Sequence, residues 1–382
     1  MSSTSGNFWK FLVIFGVYAV VILTFWQFFY SADFLSKFLQ LSGPSEFSVP
    51  RKNVTIYVAT TYYGDPIDAE MAFLTCPELK KFCRVTRNFS EASTSDALLF
   101  HSRNFFEAVK ILPNLKKLRK PNVPWILWNI ESPSHEQLPT EKNLFNWTMT
   151  YRRDADLWAP YGYMEKMDVP AKIDVNSIWS LKTKTATWLG SNCNTPNNRI
   201  QLIGKMIQKG LEADVWGACG APPGACMGVQ KRTEPCVREL IEPYKFYLAL
   251  ENSNCVDYVT EKFWKSLGDR MAVPIVLQRE VVRQLGVPDP AYISVDDFQN
   301  LEEFVDFVEK VGSEKDFYLK FHEWRKDYRV IFDNGFSGWC RLCERLQDEN
   351  LILENRKFYK NANENWQAAG VCNNSIGMKY LI

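Results

Sequence analysis

Net charge is nearly absent from this 382-residue chain: 45 Lys and Arg stand against 44 Asp and Glu, a formal +1. Without a basic excess there is no electrostatic footprint for a phosphate backbone, and nucleic acid is set aside as a partner. The chain also lacks a G-x-G-x-x-G run. The loop ACGAPPGAC carries Gly217, Gly220 and Gly224, which let backbone approach a phosphate or a base, but their spacing is not that fingerprint. A zinc set is missing as well. Cys340 and Cys343 form a Cys-x-x-Cys, yet Cys76 and Cys83 are seven apart and His322 stands alone, where zinc would need a second close pair.

What the chain does contain points to an oxidising compartment. Its ten cysteines are even in number and free to pair, and four sequons begin at Asn53, Asn88, Asn146 and Asn373. Phe11 to Ala32 is uncharged and, as a helix, long enough to cross a hydrocarbon core of about 30 Å. Lys10 and the amino terminus precede this run, while Asp33 and Lys37 cancel after it. The expectation is a cytosolic tail at 1–10, a signal anchor at 11–32, a stem at 33–52 and a lumenal body. The 13 Trp and 16 Tyr suit sugar stacking and large cores equally, so they decide nothing.

Beyond the stem the pattern becomes strand and helix. VTIYVAT (54–60), DALLF (96–100) and PWILWNI (124–130) are apolar runs of strand length, with a helix-length segment at Phe105–Leu118 between the last two. Alternation of this kind predicts α/β architecture with parallel sheets. The lysine-rich stretch 164–184 reads as a linker, which divides the body into 53–175 and 176–330, with a tail at 331–382 that folds back. TATWLGSNC, ADVWG, the helix RIQLIGKMIQKG and the segments EVVRQLG, AYISVDDF and NLEEFVDFVEKVG continue the alternation in the second half.

The most informative stretch is Tyr244–Leu277. Phe246–Leu250 reads as a buried strand that ends in the polar Glu251, Asn252, Ser253 and Asn254, and ligands of open α/β sheets bind at such carboxyl ends. Asp257 is placed to cap a following helix, with Tyr258, Glu261 and Lys262 on one face and Val259, Phe263 and Leu267 on the core side. A diphosphate at that helix N-terminus would find Lys262 in the first turns. On the residues alone, a solvated Glu261–Lys265 pair is the competing reading.

Earlier in the chain, Glu131 ends the strand PWILWNI beside Pro133, with Trp125 and Trp128 near it in sequence. Burial among apolar groups strengthens a carboxylate as a base, and His135 is the alternative base. Asp154 and Asp156 form an Asp-x-Asp, which elsewhere holds manganese, but Arg152 and Arg153 precede and neutralise them. Arg199 follows Ser191 and Asn192 at the head of a helix, where its guanidinium can fork onto phosphate oxygens.

FYLALENS, DYVTEK and VPIV, at these spacings, resemble the signature of the Golgi α1,3-fucosyltransferases, glycosyltransferase family ten; Leu250 and Gln278 depart from it. WNIESPSH resembles that family's Glu-Ser-Pro segment. The resemblance implies a GT-B fold, two facing Rossmann-like domains behind a single transmembrane helix, and Golgi residence as a type II membrane protein. It implies GDP-fucose as donor, an N-acetylglucosamine-containing glycan as acceptor, and Glu131 as catalytic base. Tyr161, Ser191, Asn192, Arg199, Asn252, Tyr258, Glu261 and Lys262 become donor contacts. No metal is required, with manganese stimulation and homodimerisation left open. Cys340 and Cys343 would tie back to Cys76 and Cys83, and Cys193 to Cys236. The alternatives are another sugar-nucleotide transferase of this architecture and an inactive Golgi glycan-binding protein.

Overall fold

The computed structural model describes residues 52–222, 226, 234–348, 357–368 and 371–381. The expected tail, anchor and most of the stem lie outside these residues, as does Gly224. No helix among the described residues is long and apolar enough to cross a membrane.

Two wholly parallel sheets form the body. The first has the order β2-β1-β3-β4-β5-β6, from Val54–Val58 (β1), Cys83–Thr86 (β2), Ala97–His101 (β3), Trp125–Asn129 (β4), Trp147–Thr150 (β5) and Leu157–Trp158 (β6). β3 and β4 are buried along their whole length, because helices cover both faces of a parallel sheet. The second has the order β12-β11-β10-β8-β9, with Lys184–Leu189 (β8), Ala213–Trp216 (β9), Tyr244–Leu248 (β10), Val273–Val276 (β11) and Ile293–Ser294 (β12). Strand order reverses between β1 and β3 in one sheet and between β8 and β10 in the other. Crevices open at the carboxyl ends of such switch points.

A third, two-stranded antiparallel ribbon pairs Gly162–Lys166 (β7) with Tyr328–Phe332 (β13). The stretch expected as a linker at 164–184 therefore contains part of β7 and the helix Val175–Leu181. Its lysines are compatible with an exposed ribbon, and only its middle lacks regular structure. β7 also lies close against the second sheet's site helix: a Cβ at Gly162 would come within 2.6 Å of the Trp264 ring.

The segment Phe105–Leu118 is two short helices, Phe105–Val109 and Leu112–Lys117. Pro113 has no N–H to donate into a continuing helix, and it sits in the first turn of the second one. The tail does fold back. The helix Ser337–Arg345 packs on the first sheet with Trp339 fully buried, and the disulfides Cys76–Cys340 and Cys83–Cys343 fasten it.

The expected Cys193–Cys236 bond is not formed. Cys193 pairs with Cys219 and Cys236 with Cys226, while Cys255 pairs with Cys372. β8 and β9 are adjacent and parallel, so the loops that leave them, carrying Cys193 and Cys219, emerge side by side.

One sequon is built into the fold. Asn146 is 5% exposed; its Oδ1 accepts from the Trp125 N–H and from Arg119, and its Nδ2 donates to the Lys357 carbonyl. A glycan on that nitrogen would have no room in so enclosed a site, which corrects the expectation for Asn146. Asn53, Asn88 and Asn373 are exposed.

Candidate active site

Glu131 leaves the carboxyl end of β4 half-buried, and Asn129 clamps its backbone by accepting from the Glu131 N–H at 3.0 Å and donating to its carbonyl at 3.2 Å. Its carboxylate accepts two phenols: Tyr63 on Oε1 at 2.9 Å and Tyr258 on Oε2 at 3.4 Å. Tyr63 was not foreseen. It follows β1 at the switch point of the first sheet, in a left-handed conformation (φ 51°) before Gly64, and is 43% exposed. An aromatic pair ahead of a glycine at a strand end was the available signal. Its neighbour Tyr62 stacks on Trp128 at 4.8 Å.

Tyr258 joins this carboxylate to the other lobe. It is 3% exposed, packed against Tyr151 and Tyr161, and burial followed by the charges of Glu131 and Glu251 pushes its phenol well above the ordinary range. It therefore stays protonated, as a hydrogen-bond donor. Tyr161, expected to touch nucleotide, donates instead to the Ile130 carbonyl at 2.7 Å, next to Glu131, and is 5% exposed.

In the second lobe the expected helix begins three residues later than the capping reading requires, at Glu261–Leu267 with Thr260 as N-cap. Asp257 does not cap it: at φ 58° its carboxylate accepts from the Arg153 N–H across the lobes. Tyr258 consequently precedes the helix and is free to turn toward Glu131, which a helical face would not allow.

Lys262 sits among carboxylates. Its Nζ lies 2.8 Å from Glu261 and 3.6 Å from Glu251, and Glu251 in turn accepts from the N–H and hydroxyl of Thr260 at 2.7 Å each. Burial opposes the charge on Glu261, but the Lys262 ammonium and the hydrogen bonds from Lys262, Thr260 and the backbone together hold the carboxyl down to about 2. Glu251 is pushed up by burial, which the same ammonium only partly counters.

Burial pulls the Arg199 guanidinium below its ordinary range, and the Glu251 carboxylate is the charge that most counters this. Arg199 is 3% exposed, with its fork occupied: Nη1 donates to the Leu250 carbonyl and Nη2 to that of Asn192. Its Nε–H has no partner. The sequence reading presented the whole fork to phosphate, whereas the structure spends it on the ends of β8 and β10. Ser191 and Asn192 are exposed on the loop beside it, and Asn252 accepts from Ser253. His135, the alternative base, makes no side-chain hydrogen bond through its buried Nε2.

A cavity of about 30 Å³, room for about one water, lies between Glu251, Ser253, Tyr258 and Gln278. A larger one of about 550 Å³ lies at the β12 edge under Arg279, whose guanidinium is already paired with Asp289 and Asp297. Its cation is thus already neutralised by two carboxylates, as Lys262 is in the cluster above.

The Asp-x-Asp carboxylates diverge. Asp154 is exposed and pairs with Arg152, while the side chain of Asp156 is 5% exposed and takes Lys357 at 2.6 Å, Tyr359 at 2.7 Å and the Thr148 N–H at 2.8 Å. Asp156→Ala leaves these donors behind, and a loss of ~3 kcal/mol is expected in denaturant unfolding.

Two parallel α/β lobes, joined where Tyr258 of one donates to Glu131 of the other under the charges of Glu251 and Glu261, form a two-lobed, glycosyltransferase-like site. The family models agree. "Fucosyltransferase, N-terminal" matches residues 51–162, and "Glycosyltransferase family 10 (fucosyltransferase) C-term" matches residues 179–366. The chain belongs to glycosyltransferase family 10, the α1,3-fucosyltransferases.

Among curated relatives it is 47% identical to alpha-(1,3)-fucosyltransferase fut-6 of Caenorhabditis elegans, over 98% of this chain and 97% of that one. It is 40% identical to alpha-(1,3)-fucosyltransferase fut-5 of the same organism, over 86% of each. A crystal structure of an alpha1,3-fucosyltransferase with GDP is similar in fold, with TM-score 0.51 and 16% identity, covering 80% of this chain and 93% of that one.

Proposed function

We propose that this chain moves L-fucose from GDP-fucose to the 3-hydroxyl of an N-acetylglucosamine in a glycoprotein or glycolipid glycan, inverting the anomeric centre. The observation that carries the reading is Tyr258, which touches Glu131 of one lobe and lies beside the Glu251–Lys262 cluster of the other. Relatives named as α1,3-fucosyltransferases support the linkage.

In the mechanism, Glu131 takes the proton of the attacking hydroxyl as the new C–O bond forms on the face opposite the nucleotide. The bond from fucose C1 to the diphosphate oxygen breaks, and its electron pair leaves with GDP. Lys262 lies where that charge grows, and Arg199 lends its field and its free Nε–H. Tyr63, exposed beside the carboxylate, marks where the acceptor approaches.

No metal is part of this reading. A chelator is expected to leave transfer intact, and Asp154→Ala to leave the response to manganese unchanged; a metal requirement that appears or vanishes with Asp154 would reinstate the Asp-x-Asp. The reading extends to a single-pass type II Golgi protein anchored by residues 11–32. The uncharged run, the exposed sequon asparagines and the five disulfides favour such a compartment.

Incubation with GDP-fucose and a defined glycan array, read by mass spectrometry with linkage analysis, tests the activity. Consumption of a different sugar nucleotide, with GDP-fucose untouched, would refute it.

A further inference from the structure

The loop that carries the base and the loop that carries the donor cluster come from different lobes, and a C-terminal strand of chain lies between them. The helix Ala362–Trp366 and its flanks hold the base loop: Asn363 accepts from the Leu138 N–H at 2.8 Å, Trp366 donates to the Glu136 carbonyl at 3.1 Å, and Gln367 donates to that of Pro133 at 2.7 Å. A few residues on, the same chain is bonded to the donor loop through Cys255–Cys372, the Val256 N–H on the Val371 carbonyl and the Asn373 N–H on the Asn254 carbonyl.

One side chain in this strap touches both loops. Asn374 accepts from the Asn254 N–H at 2.9 Å and donates through Nδ2 to the Ser134 hydroxyl at 2.8 Å. The line of amides continues: Asn254 Oδ1 accepts from Asn197 Nδ2 at 3.0 Å, and that nitrogen also donates to the Glu251 carbonyl at 2.8 Å. A hydrogen-bonded path thus runs from Ser134, three residues past Glu131, to Glu251 beside Lys262. Two direct ties between the loops lie close by, Ser132 to Ser253 at 2.9 Å and Ser134 Oγ to Cys255 Sγ at 3.8 Å.

We propose that Asn374 is a positioning residue for transfer: its amide fixes the separation between the base on one lobe and the donor cluster on the other. It touches neither substrate nor reacting atoms. Its effect falls on the chemical step, because a misplacement of about 1 Å between reacting groups costs up to ~100-fold in rate. Donor affinity is spared, since Cys255–Cys372 and Asn197 hold the donor loop without it. This rests on Glu131 acting as the base of the proposed transfer.

The test compares Asn374→Ala, Asn374→Asp and Ser134→Ala in the full chain; both Asn374 variants keep the sequon at Asn373, so glycan occupancy does not confound them. Asn374→Ala is expected to lower kcat ~10-fold with the KM for GDP-fucose within about twofold. Asn374→Asp is expected to recover most of the loss, because its carboxylate still accepts from Asn254 and can accept the Ser134 hydroxyl proton. Ser134→Ala removes one of the two bonds and should lose no more than Asn374→Ala, and the double variant should be no worse than Asn374→Ala, as for a shared bridge. Hydrogen exchange, which needs no turnover, should show faster exchange of the 134–138 and Asn254 amides in Asn374→Ala.

Unchanged kcat and exchange in Asn374→Ala, failure of the aspartate to rescue, or additive losses in the double variant would overturn the proposal. A wild-type chain that transfers no fucose would refute the functional reading alone, leaving the exchange result to decide whether Asn374 couples the loops.

Discussion

Glu131→Gln is expected to abolish fucosyl transfer, lowering kcat by ~10²–10⁴, while GDP still binds with near wild-type affinity. Glutamine has the same shape and can keep a hydrogen bond with each of Tyr63 and Tyr258, the phenols now on Glu131. What it cannot do is take a proton at neutral pH. The donor cluster at Glu251 and Lys262 is built by the other lobe, so nucleotide binding does not depend on the substitution. Single-turnover transfer and GDP titration by calorimetry read the two effects separately. Wild-type turnover in Glu131→Gln would pass the role of base to His135.

The second large effect is expected at Lys262. Lys262→Met keeps the apolar stem but removes the ammonium that faces Glu251 and Glu261, and with it the cation proposed to meet the leaving diphosphate. A loss of ~10²–10³ in kcat/KM for GDP-fucose is expected, the scale of removing one group that stabilises transition-state charge. The variant also has a signature in stability. In the wild type the Glu261 carboxyl is held at about 2, against an ordinary 4.5. A depressed carboxylate contributes stability that is fully present above the unfolded value and lost as pH falls through the folded one, here between about 4.5 and 2. Without Lys262, only the hydrogen bonds from Thr260 and the backbone oppose burial, so the loss of stability on acidification is expected to shrink. Thermal unfolding between pH 5 and pH 3 checks this, and parallel curves for the two proteins would show that Lys262 does not hold Glu261.

These outcomes separate what is local in the chain from what is not. The ends of β4, β8 and β10 could be read from short apolar runs that stop at polar residues, whereas the roles expected of Glu131, Arg199 and Lys262 came from the family resemblance. A strand end tells which edge of the sheet a side chain occupies. It does not tell what the facing lobe brings to it. Tyr63 and Tyr258 reach Glu131 from 68 and 127 residues away in sequence, and a local pattern that marks Tyr63 still does not name its partner. The expected helical face of Tyr258, Glu261 and Lys262 failed for a related reason: Asp257 bonds to Arg153 of the other lobe, so the helix starts later and Tyr258 is released from it.

Cysteine pairing divides the same way. The tie of Cys340 and Cys343 to Cys76 and Cys83 followed from family resemblance, but the partner of Cys193 depended on which strand lies beside β8. Asn146 satisfies the sequon rule in one dimension, while its amide is enclosed by the backbone of β4 and the Lys357 carbonyl.

By itself, then, the sequence determined the α/β class, the parallel sheets and the residue types at their carboxyl ends, because a period of apolar residues and its interruption are properties of consecutive positions. The tertiary structure alone decided which of those groups meet. Convergence of two phenols on one acid, one of them from the other lobe, requires two separately folded sheets to face one another, and that is set by packing and long-range hydrogen bonds between segments the chain order keeps far apart.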